Sequence, residues 1–172
     1  FVEIELAEPM EVEKAALALD AALPRGIRVL AADAVDTHHA ALMSQAAGAS
    51  YRITLPYSKD VSAAVAEFNA APELLFKKAA PKTKAKFKEI DVKFYIPQLT
   101  AEQTETETIF SFDCKITPTG SMKAVDLLNA LNEQYGLALP VEMADIERLR
   151  LYRNNKNGKP IPMLNSDAVT LG

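Results

Sequence analysis

Residues 77–88 carry the strongest chemical signal in this chain, because six lysines fall there without any acid. The segment has the sequence KKAAPKTKAKFK, and its lysines are Lys77, Lys78, Lys82, Lys84, Lys86 and Lys88. Clustered ammonium groups attract a polyanion and release its counterions, so the segment predicts a contact with nucleic-acid phosphates. A solvated hairpin or a flexible loop explains the same composition, and the sequence leaves both interpretations open.

The remainder of the chain is acidic, which makes the lysine segment a local exception. The 172 residues have a formal net charge of −4, from 19 basic and 23 acidic side chains. Without the six lysines, 13 basic residues face the same 23 acids, so the balance is −10. Because its net charge is negative, the whole molecule is not a nucleic-acid-binding polycation, and any basic surface must be local. Arg148 and Arg150, predicted with Tyr152 on one face of a strand, would extend the basic surface, and Tyr51 offers a ring that stacks on a base.

No side chains with a spacing suited to catalysis or metal binding stand out. The two histidines, His38 and His39, are adjacent, and neighbouring side chains point apart on a strand or a helix. No carboxylate or thiolate follows them at a metal-ligand spacing, so we expect no metal and no cofactor. Cys114 alternates with large apolar residues, which predicts a buried packing cysteine rather than a nucleophile. A single cysteine also excludes an internal disulfide and an iron–sulfur cluster held by this chain.

Apolar periodicity predicts an α+β fold in which helices lie on one face of an antiparallel sheet. Strands are predicted at 1–6, 27–34, 50–55, 90–96, 109–116 and 146–152, where apolar residues alternate with polar ones. Helices are predicted at 10–23, 58–71 and 121–135, with Ser58 and Ser121 as N-caps. The last two strands before the third helix follow each other without a helix between them, which argues against a doubly wound parallel fold.

The order of these elements fits two ferredoxin-like halves. The predicted halves are 1–71 and 72–153, followed by a C-terminal tail at 154–172. The helix that ends at Leu23 and the strand after it would organise the first half, with the strand at 50–55 as their neighbour. Because Phe1 already lies within an alternating pattern, we expect the first half to lack an N-terminal segment.

Several motifs along the chain form a recognisable set. They are LPRGIRVLAADAV at 23–35, ASYRI at 49–53, KEID at 88–91, the turn and helix at 120–131, and the strand at 146–152. This set, which covers nearly the whole chain, resembles the radical-SAM-linked family of uncharacterised bacterial proteins, partners of or fusions to a radical SAM protein. The resemblance implies an accessory protein whose iron–sulfur or cobalamin chemistry belongs to the partner. Members normally carry further residues upstream.

A shorter stretch, from Val12 to Leu55, contains a helix ending in Leu-Pro, a strand, an Ala-rich turn and the strand with Tyr51. It is more distantly similar to tRNA pseudouridine synthases with two ferredoxin-like halves. The synthase's catalytic aspartate lies upstream of the matched stretch, and its arginine falls near Ala41 or Leu42. The resemblance therefore implies a shared fold and RNA binding, and pseudouridylation only with a catalytic part upstream.

These observations predict a non-catalytic, cytoplasmic protein that binds RNA or presents a substrate to a radical SAM enzyme, in RNA modification such as tRNA modification. A single cysteine is typical of a reducing compartment. No apolar run reaches the length of a membrane span. One alternative is a subunit that docks the radical SAM partner without RNA, through the sheet or the acidic edge around Glu3 and Glu5. The other is a synthase-like enzyme with its catalytic part upstream.

Overall fold

The computed structural model describes residues 1–36, 38, 40–79, 86–165 and 167–171. Its helices are α1 (Val12–Ala22), α2 (Ser62–Ala70), α3 (Val92–Tyr95) and α4 (Ala124–Tyr135). Its strands are β1 (Ala31–Ala32), β2 (Ala46–Pro56), β3 (Leu75–Ala79), β4 (Phe87–Asp91), β5 (Leu99–Gln103), β6 (Glu107–Thr117), β7 (Gly120–Ser121), β8 (Asp145–Asn154), β9 (Pro160–Pro162) and β10 (Val169–Thr170). All pairings between these strands are antiparallel, which confirms the predicted α+β class. Within the described ranges, no helix is long and apolar enough to cross a membrane.

The long strand β2 is the centre of the main sheet. The strand order is β5-β6-β2-β8-β9, and β7 pairs with the end of β6. Tyr51, Ile53 and Thr54 give β2 the aromatic and β-branched residues that suit a paired, half-buried strand. β2 comes from the predicted first half, whereas β6 and β8 come from the predicted second half, so one sheet contains strands of both. The division into two ferredoxin-like halves stays a prediction.

The helices α2 and α4 cover one face of this sheet and form the main core with it. Ile53 and Leu55 of β2 and Phe110 of β6 are buried at this face. Phe68 of α2 and Leu128 of α4 pack against them and are fully buried as well. The apolar stripes of both helices therefore face the sheet, as their periodicity predicts.

A smaller apolar cluster lies on the same face at the opposite end of β2. It consists of Leu42, Ala46, Ala49, Leu151 and Met163. The ring of Tyr51 packs against both clusters. Close to this cluster the C-terminal segment folds back, and β10 pairs with β1.

Two N-terminal strand predictions are wrong or too long. Residues 1–6 form no strand, and Phe1, Ile4 and Leu6 are exposed. An alternating pattern becomes a strand only when a neighbour pairs with its backbone, and none in the described chain pairs with this segment. The strand predicted at 27–34 shrinks to β1, whose partner is β10 instead of β2.

Side-chain hydrogen bonds at element ends explain why several predicted bounds in the middle of the chain differ from the structure. The strand predicted at 90–96 ends at Asp91, whose carboxylate accepts hydrogen bonds from the backbone N–H groups of Leu74 and Lys93, both at 3.0 Å. This caps the helical turn α3, and the strand β5, for which no strand was predicted, follows it. The N-cap residue of α2 is Val61 rather than Ser58, and the Asp60 carboxylate before it accepts from the Ser62 N–H at 2.8 Å. Helix α4 begins three residues after Ser121, with the Asp126 carboxylate accepting from the Lys123 N–H at 3.3 Å.

We expect Ile53→Ala to lower the free energy of unfolding by about 2–5 kcal/mol, because it removes a fully buried side chain from the central strand. Ile146 lies directly opposite on β8 and is 39% exposed, so Ile146→Ala is a matched control that should cost less than about 1 kcal/mol. Urea unfolding followed by circular dichroism measures both losses. Equal losses would contradict a core that covers Ile53 and leaves Ile146 at its margin.

Candidate nucleic-acid interface

The described lysines of residues 77–88 lie in a hairpin formed by β3 and β4. This hairpin is separate from the main sheet. Phe76 of β3 and Ile90 of β4 lie opposite each other and are buried in the main core, which anchors the hairpin. The Val92 N–H donates to the Leu74 carbonyl at 2.8 Å and continues the pairing past the strands. Two of the predicted phosphate contacts, Lys82 and Lys84, lie outside the described residues.

The outer face of the hairpin presents an aromatic ring among charged side chains. Phe87 is 60% exposed, although phenylalanine side chains are usually buried. Ala79 lies opposite Phe87 and Lys77 lies opposite Glu89, so Lys77 is the diagonal neighbour of Phe87 on the same face. Lys86, which precedes the ring, is exposed too. A ring with cations beside it suits the stacking of a base and the contact of its phosphates.

The inner face of the hairpin contains Lys78 and Lys88, which lie directly opposite each other. The ammonium group of Lys78 forms an ion pair of 2.6 Å with the Asp126 carboxylate on α4. The two side chains are only 26% and 12% exposed, so water screens this pair incompletely. Lys78 therefore ties the hairpin to α4. Asp126 was not among the predicted site residues, although an acid in the first turn of a helix is a recognised signal for a helix N-terminus.

A small cavity lies behind the inner face of the hairpin. Its volume is about 100 Å³. Its lining consists of Lys78, Lys88, Ile90, Tyr95, Thr119, Gly120 and Ser121. Thr119 belongs to the short turn between β6 and β7, and Gly120 and Ser121 form β7 itself. The cavity thus brings two predicted phosphate contacts together with the hydroxyl groups of a turn.

The predicted arginines do not share a face. In the register of β2 with β8, Arg150 lies opposite Ser50 and Arg148 lies opposite Tyr51, because a bulge at Leu149 shifts the pairing. Ser50 and Tyr51 are adjacent and point to opposite faces, and cross-strand partners share a face. The prediction that Arg148 and Arg150 lie together is therefore wrong. The side-chain period of two, which the prediction used, holds only without an extra residue.

Arg150 belongs to a polar row across three strands on the face away from the helices. Its Nε donates to the Ser50 hydroxyl at 2.9 Å, and that hydroxyl donates to the Asp113 carboxylate. Gly48 and Tyr152 form the next row, where a Cβ on Gly48 would overlap the phenol of Tyr152. Burial, followed by the nearby negative charge of Asp113, raises the pKa of the Tyr152 phenol above its usual value.

Tyr51 lies on the other face and packs within the protein. Its ring stacks on Phe112 with the ring centres 5.6 Å apart and the planes inclined by 22°. It is half-buried between the two apolar clusters. A role in core packing accounts for this position, and the stacking of a base on Tyr51 stays a prediction.

The remaining candidates for chemistry have structural surroundings. Cys114 is 2% exposed, and burial raises the pKa of its thiol, which donates a weak hydrogen bond to the Met122 carbonyl. His38 is exposed, and a ring nitrogen lies 3.3 Å from the Asp36 carboxylate, whereas His39 falls outside the described residues. In the part of the chain that the structure covers, no three His, Cys, Asp or Glu side chains are grouped to hold a metal ion.

A larger cavity, of about 230 Å³, lies by the smaller apolar cluster, between the segment around Asp33 and the C-terminal segment. Arg153 lines it and donates to the Pro162 carbonyl at 3.3 Å and to the side chains of Gln45 and Asn165 at 3.5 and 2.9 Å. Asn165 in turn donates to the Asp33 carboxylate at 2.8 Å. These polar groups bind one another and hold the two segments together.

The fold and the hairpin define an antiparallel α+β protein with a basic, aromatic-bearing surface element on an acidic body. A family model described as "Uncharacterized protein conserved in bacteria (DUF2344)" matches residues 1–127 of the 172. The chain therefore belongs to this bacterial family, and the match includes the β3–β4 hairpin and ends within α4. Comparisons with curated proteins and with solved structures found no match. The expected uncharacterised bacterial family is confirmed, and the link to a radical SAM partner stays a prediction.

We expect Cys114 to react with iodoacetamide far more slowly in the native protein than in the unfolded one, because the thiol is buried and its raised pKa leaves little thiolate. The chain has one cysteine, so mass spectrometry of the intact protein counts the modification directly. Protein unfolded in guanidinium is the control and should take up one label. Equal rates for native and unfolded protein would contradict the buried position.

Tyr152 should make the stability of the protein fall at alkaline pH. Its pKa is raised on folding, so the stabilisation is fully present below the unfolded value of about 10 and is lost as pH rises through the folded value. We expect Tyr152→Phe to flatten the fall in unfolding free energy above pH of about 10. Tyr57→Phe, at an exposed tyrosine, is the control. An unchanged pH dependence in Tyr152→Phe would refute the assignment.

Proposed function

We propose that this protein is an RNA-binding accessory protein that uses the β3–β4 hairpin as its contact with the nucleic acid. The exposure of Phe87 between Lys86 and Lys88 is the observation that supports this function most directly. A folded protein gains about 1.5–3 kcal/mol by burying a phenylalanine, so an exposed ring among cations is costly without a ligand. Bases stack on such rings whatever their sequence, while lysines contact the backbone.

The local charge favours a polyanion over a neutral partner. The hairpin segment carries six positive charges on a molecule whose other residues sum to −10. Charges separated by more than about 8 Å are largely screened at physiological ionic strength, so the acidic body weakens the hairpin's attraction only partly. Three described lysines, Lys77, Lys86 and Lys88, are exposed on it. If each contacts one phosphate, the logarithm of affinity should fall with that of salt by a slope of about −2 for a single strand.

The accessory role forms the second part of the proposal. Arg150, Ser50 and Asp113 bond to one another, and so do Arg153, Asn165 and Asp33, so in this proposal the chemistry would come from a partner. From the resemblance to the radical-SAM-linked family, we propose that this partner is a radical SAM enzyme. The hairpin would present a structured RNA to it. Mixing the two purified proteins, with and without RNA, and measuring co-elution tests this part separately.

A second candidate function, docking of the enzyme without RNA, is favoured by the outer edge of β8. β9 pairs only with residues 152–154 of β8, so the stretch from Asp145 to Leu151 has no outer partner strand in the described chain. Ile146 and Leu149 are exposed beside this edge. An open edge with apolar side chains suits the addition of a strand from another protein. The predicted acidic edge around Glu3 and Glu5 forms no strand. The Glu3 carboxylate accepts from the Leu42 N–H at 2.8 Å.

We expect Phe87→Ala to weaken the binding of a fluorescent single-stranded RNA about 5- to 150-fold, which corresponds to the loss of about 1–3 kcal/mol for one stacked base. Fluorescence anisotropy in low salt measures the dissociation constant. Phe1→Ala is the matched control, because Phe1 is 57% exposed but lies outside the hairpin. No binding by the unaltered protein, or equal losses in both variants, would refute the proposed function.

The double variant Lys77→Ala, Lys86→Ala separates charge from stacking. It should reduce the steepness of the salt dependence by about 1.4, because each lost phosphate contact contributes about 0.7 for a single strand. The variant Lys156→Ala, Lys159→Ala removes the same charge from the turn before β9 and should leave the slope unchanged. If both double variants alter the slope equally, the hairpin is not the contact. Salt-insensitive binding to the radical SAM enzyme would instead support the docking function.

A further inference from the structure

We infer that the cavity behind the hairpin is a binding site for one phosphate group. This inference rests on the proposed function and deepens it, because it assigns a specific contact to lysines that the outer face does not use. The site consists of Lys88, with Lys78 beside it, and the turn from Thr119 to Ser121. Ile90 and Tyr95 complete its wall.

The charges around the cavity leave one lysine uncompensated. Lys78 and Lys88 lie directly opposite each other, and like charges in this position destabilise a pair of strands. Asp126 neutralises Lys78 at 2.6 Å, but Lys88 forms no ion pair with any described residue. The ammonium of Lys78 has three N–H donors, so its bond to Asp126 leaves donors for a second acceptor. An anion in the cavity would remove the repulsion between the two lysines.

The turn that closes the cavity supplies neutral hydrogen-bond donors. Gly120 has a φ of 130°, a backbone conformation that favours glycine, and no atom lies within 4 Å of the position a Cβ would take. The Ser121 hydroxyl is exposed and has no hydrogen-bond partner among the described residues. Oxyanions accept hydrogen bonds from hydroxyl and ammonium groups together, and bonds to ionised groups are roughly twice as strong as neutral ones.

The size of the cavity selects the ligand class. Its volume of about 100 Å³ exceeds the roughly 30 Å³ that one water molecule occupies in the liquid. It is well below the roughly 300–1,000 Å³ of a pocket that encloses a drug-sized molecule. A single tetrahedral phosphate fits this range, whereas a whole nucleotide does not. The phosphate belongs either to an RNA backbone or to a small phosphate ester.

The position of the cavity relates it to the outer face. Phe87 and Lys88 are consecutive on β4 and therefore point to opposite faces of the hairpin. The outer edge of β4 has no partner strand in the described chain. An RNA strand that passes this edge would place a base on the ring of Phe87 and a neighbouring phosphate beside Lys88. The two faces would then bind different parts of one strand.

Titration of the full protein with inorganic phosphate, followed by amide chemical shifts in two-dimensional NMR, tests the site. We expect saturable shifts centred on Gly120, Ser121 and Lys88. Lys88→Ala should weaken phosphate binding about tenfold or more, because it removes a charged hydrogen-bond donor, and Lys88→Arg should retain most of it. Lys156→Ala is the charge-matched control and should change nothing. Sodium chloride at equal ionic strength accounts for screening.

The outcomes separate this site from the proposed function. Shifts that do not saturate, or that persist unchanged in Lys88→Ala, would overturn the phosphate site even if RNA still binds through Phe87. Saturable, Lys88-dependent phosphate binding without RNA binding would establish the site for a small phosphate ester and refute the proposed function alone. Displacement of bound RNA by phosphate from the unaltered protein, but not from Lys88→Ala, would identify the RNA backbone as the source. Ser121→Ala, at an exposed turn position, should weaken phosphate binding about threefold or more without unfolding the chain.

Discussion

The pairing of β2 on both of its edges is the constraint on which the other elements depend. β6 and β8 come from distant parts of the chain, and each finds its register on this strand. One face of the three strands accepts α2 and α4, and the other carries the row of Arg150, Ser50 and Asp113. Because successive side chains of a strand point to opposite faces, a shift of one residue would exchange these two faces. The buried face therefore specifies the register, and the register in turn places α4 and the hairpin.

The inner face of the hairpin holds it against the rest of the protein. Phe76 and Ile90 bury apolar surface in the core, and Lys78 pairs with Asp126 on α4. Removing one partner of a partly buried ion pair leaves an uncompensated charge, so this lysine stabilises the hairpin's position. Lys77, Lys86 and Lys88 are exposed and remain available to a ligand. One run of similar residues thus contains a structural lysine and three exposed lysines, which composition alone does not distinguish.

Sequence patterns predicted those features that depend on nearby residues. The stripe of Val61, Ala64 and Phe68 located α2, and the alternation through Phe110 and Phe112 located β6, since a local period reports one buried face. Features set by distant residues escaped prediction. Whether residues 1–6 pair with another strand depends on the rest of the fold, and the bulge at Leu149, which separates Arg148 from Arg150, exists only relative to β2. The candidate site was predicted in part. The sequence showed its lysines, but tertiary packing alone brings Asp126 and residues 119–121 beside them.

Under the proposed function, an acidic protein would bind a polyanion at one basic element. At physiological salt, repulsion from the acidic body decays over about 8 Å, so acids beyond that distance oppose binding at the hairpin only weakly. Binding through charge alone would still be weak and would fall steeply as salt is added, because each lysine that contacts a phosphate releases about one counterion. An exposed ring adds a contribution that salt hardly changes, because stacking removes apolar surface from water. Phe87 between Lys86 and Lys88 combines both contributions within three residues, whereas Tyr51 and the two arginines, on separate faces of the main sheet, do not.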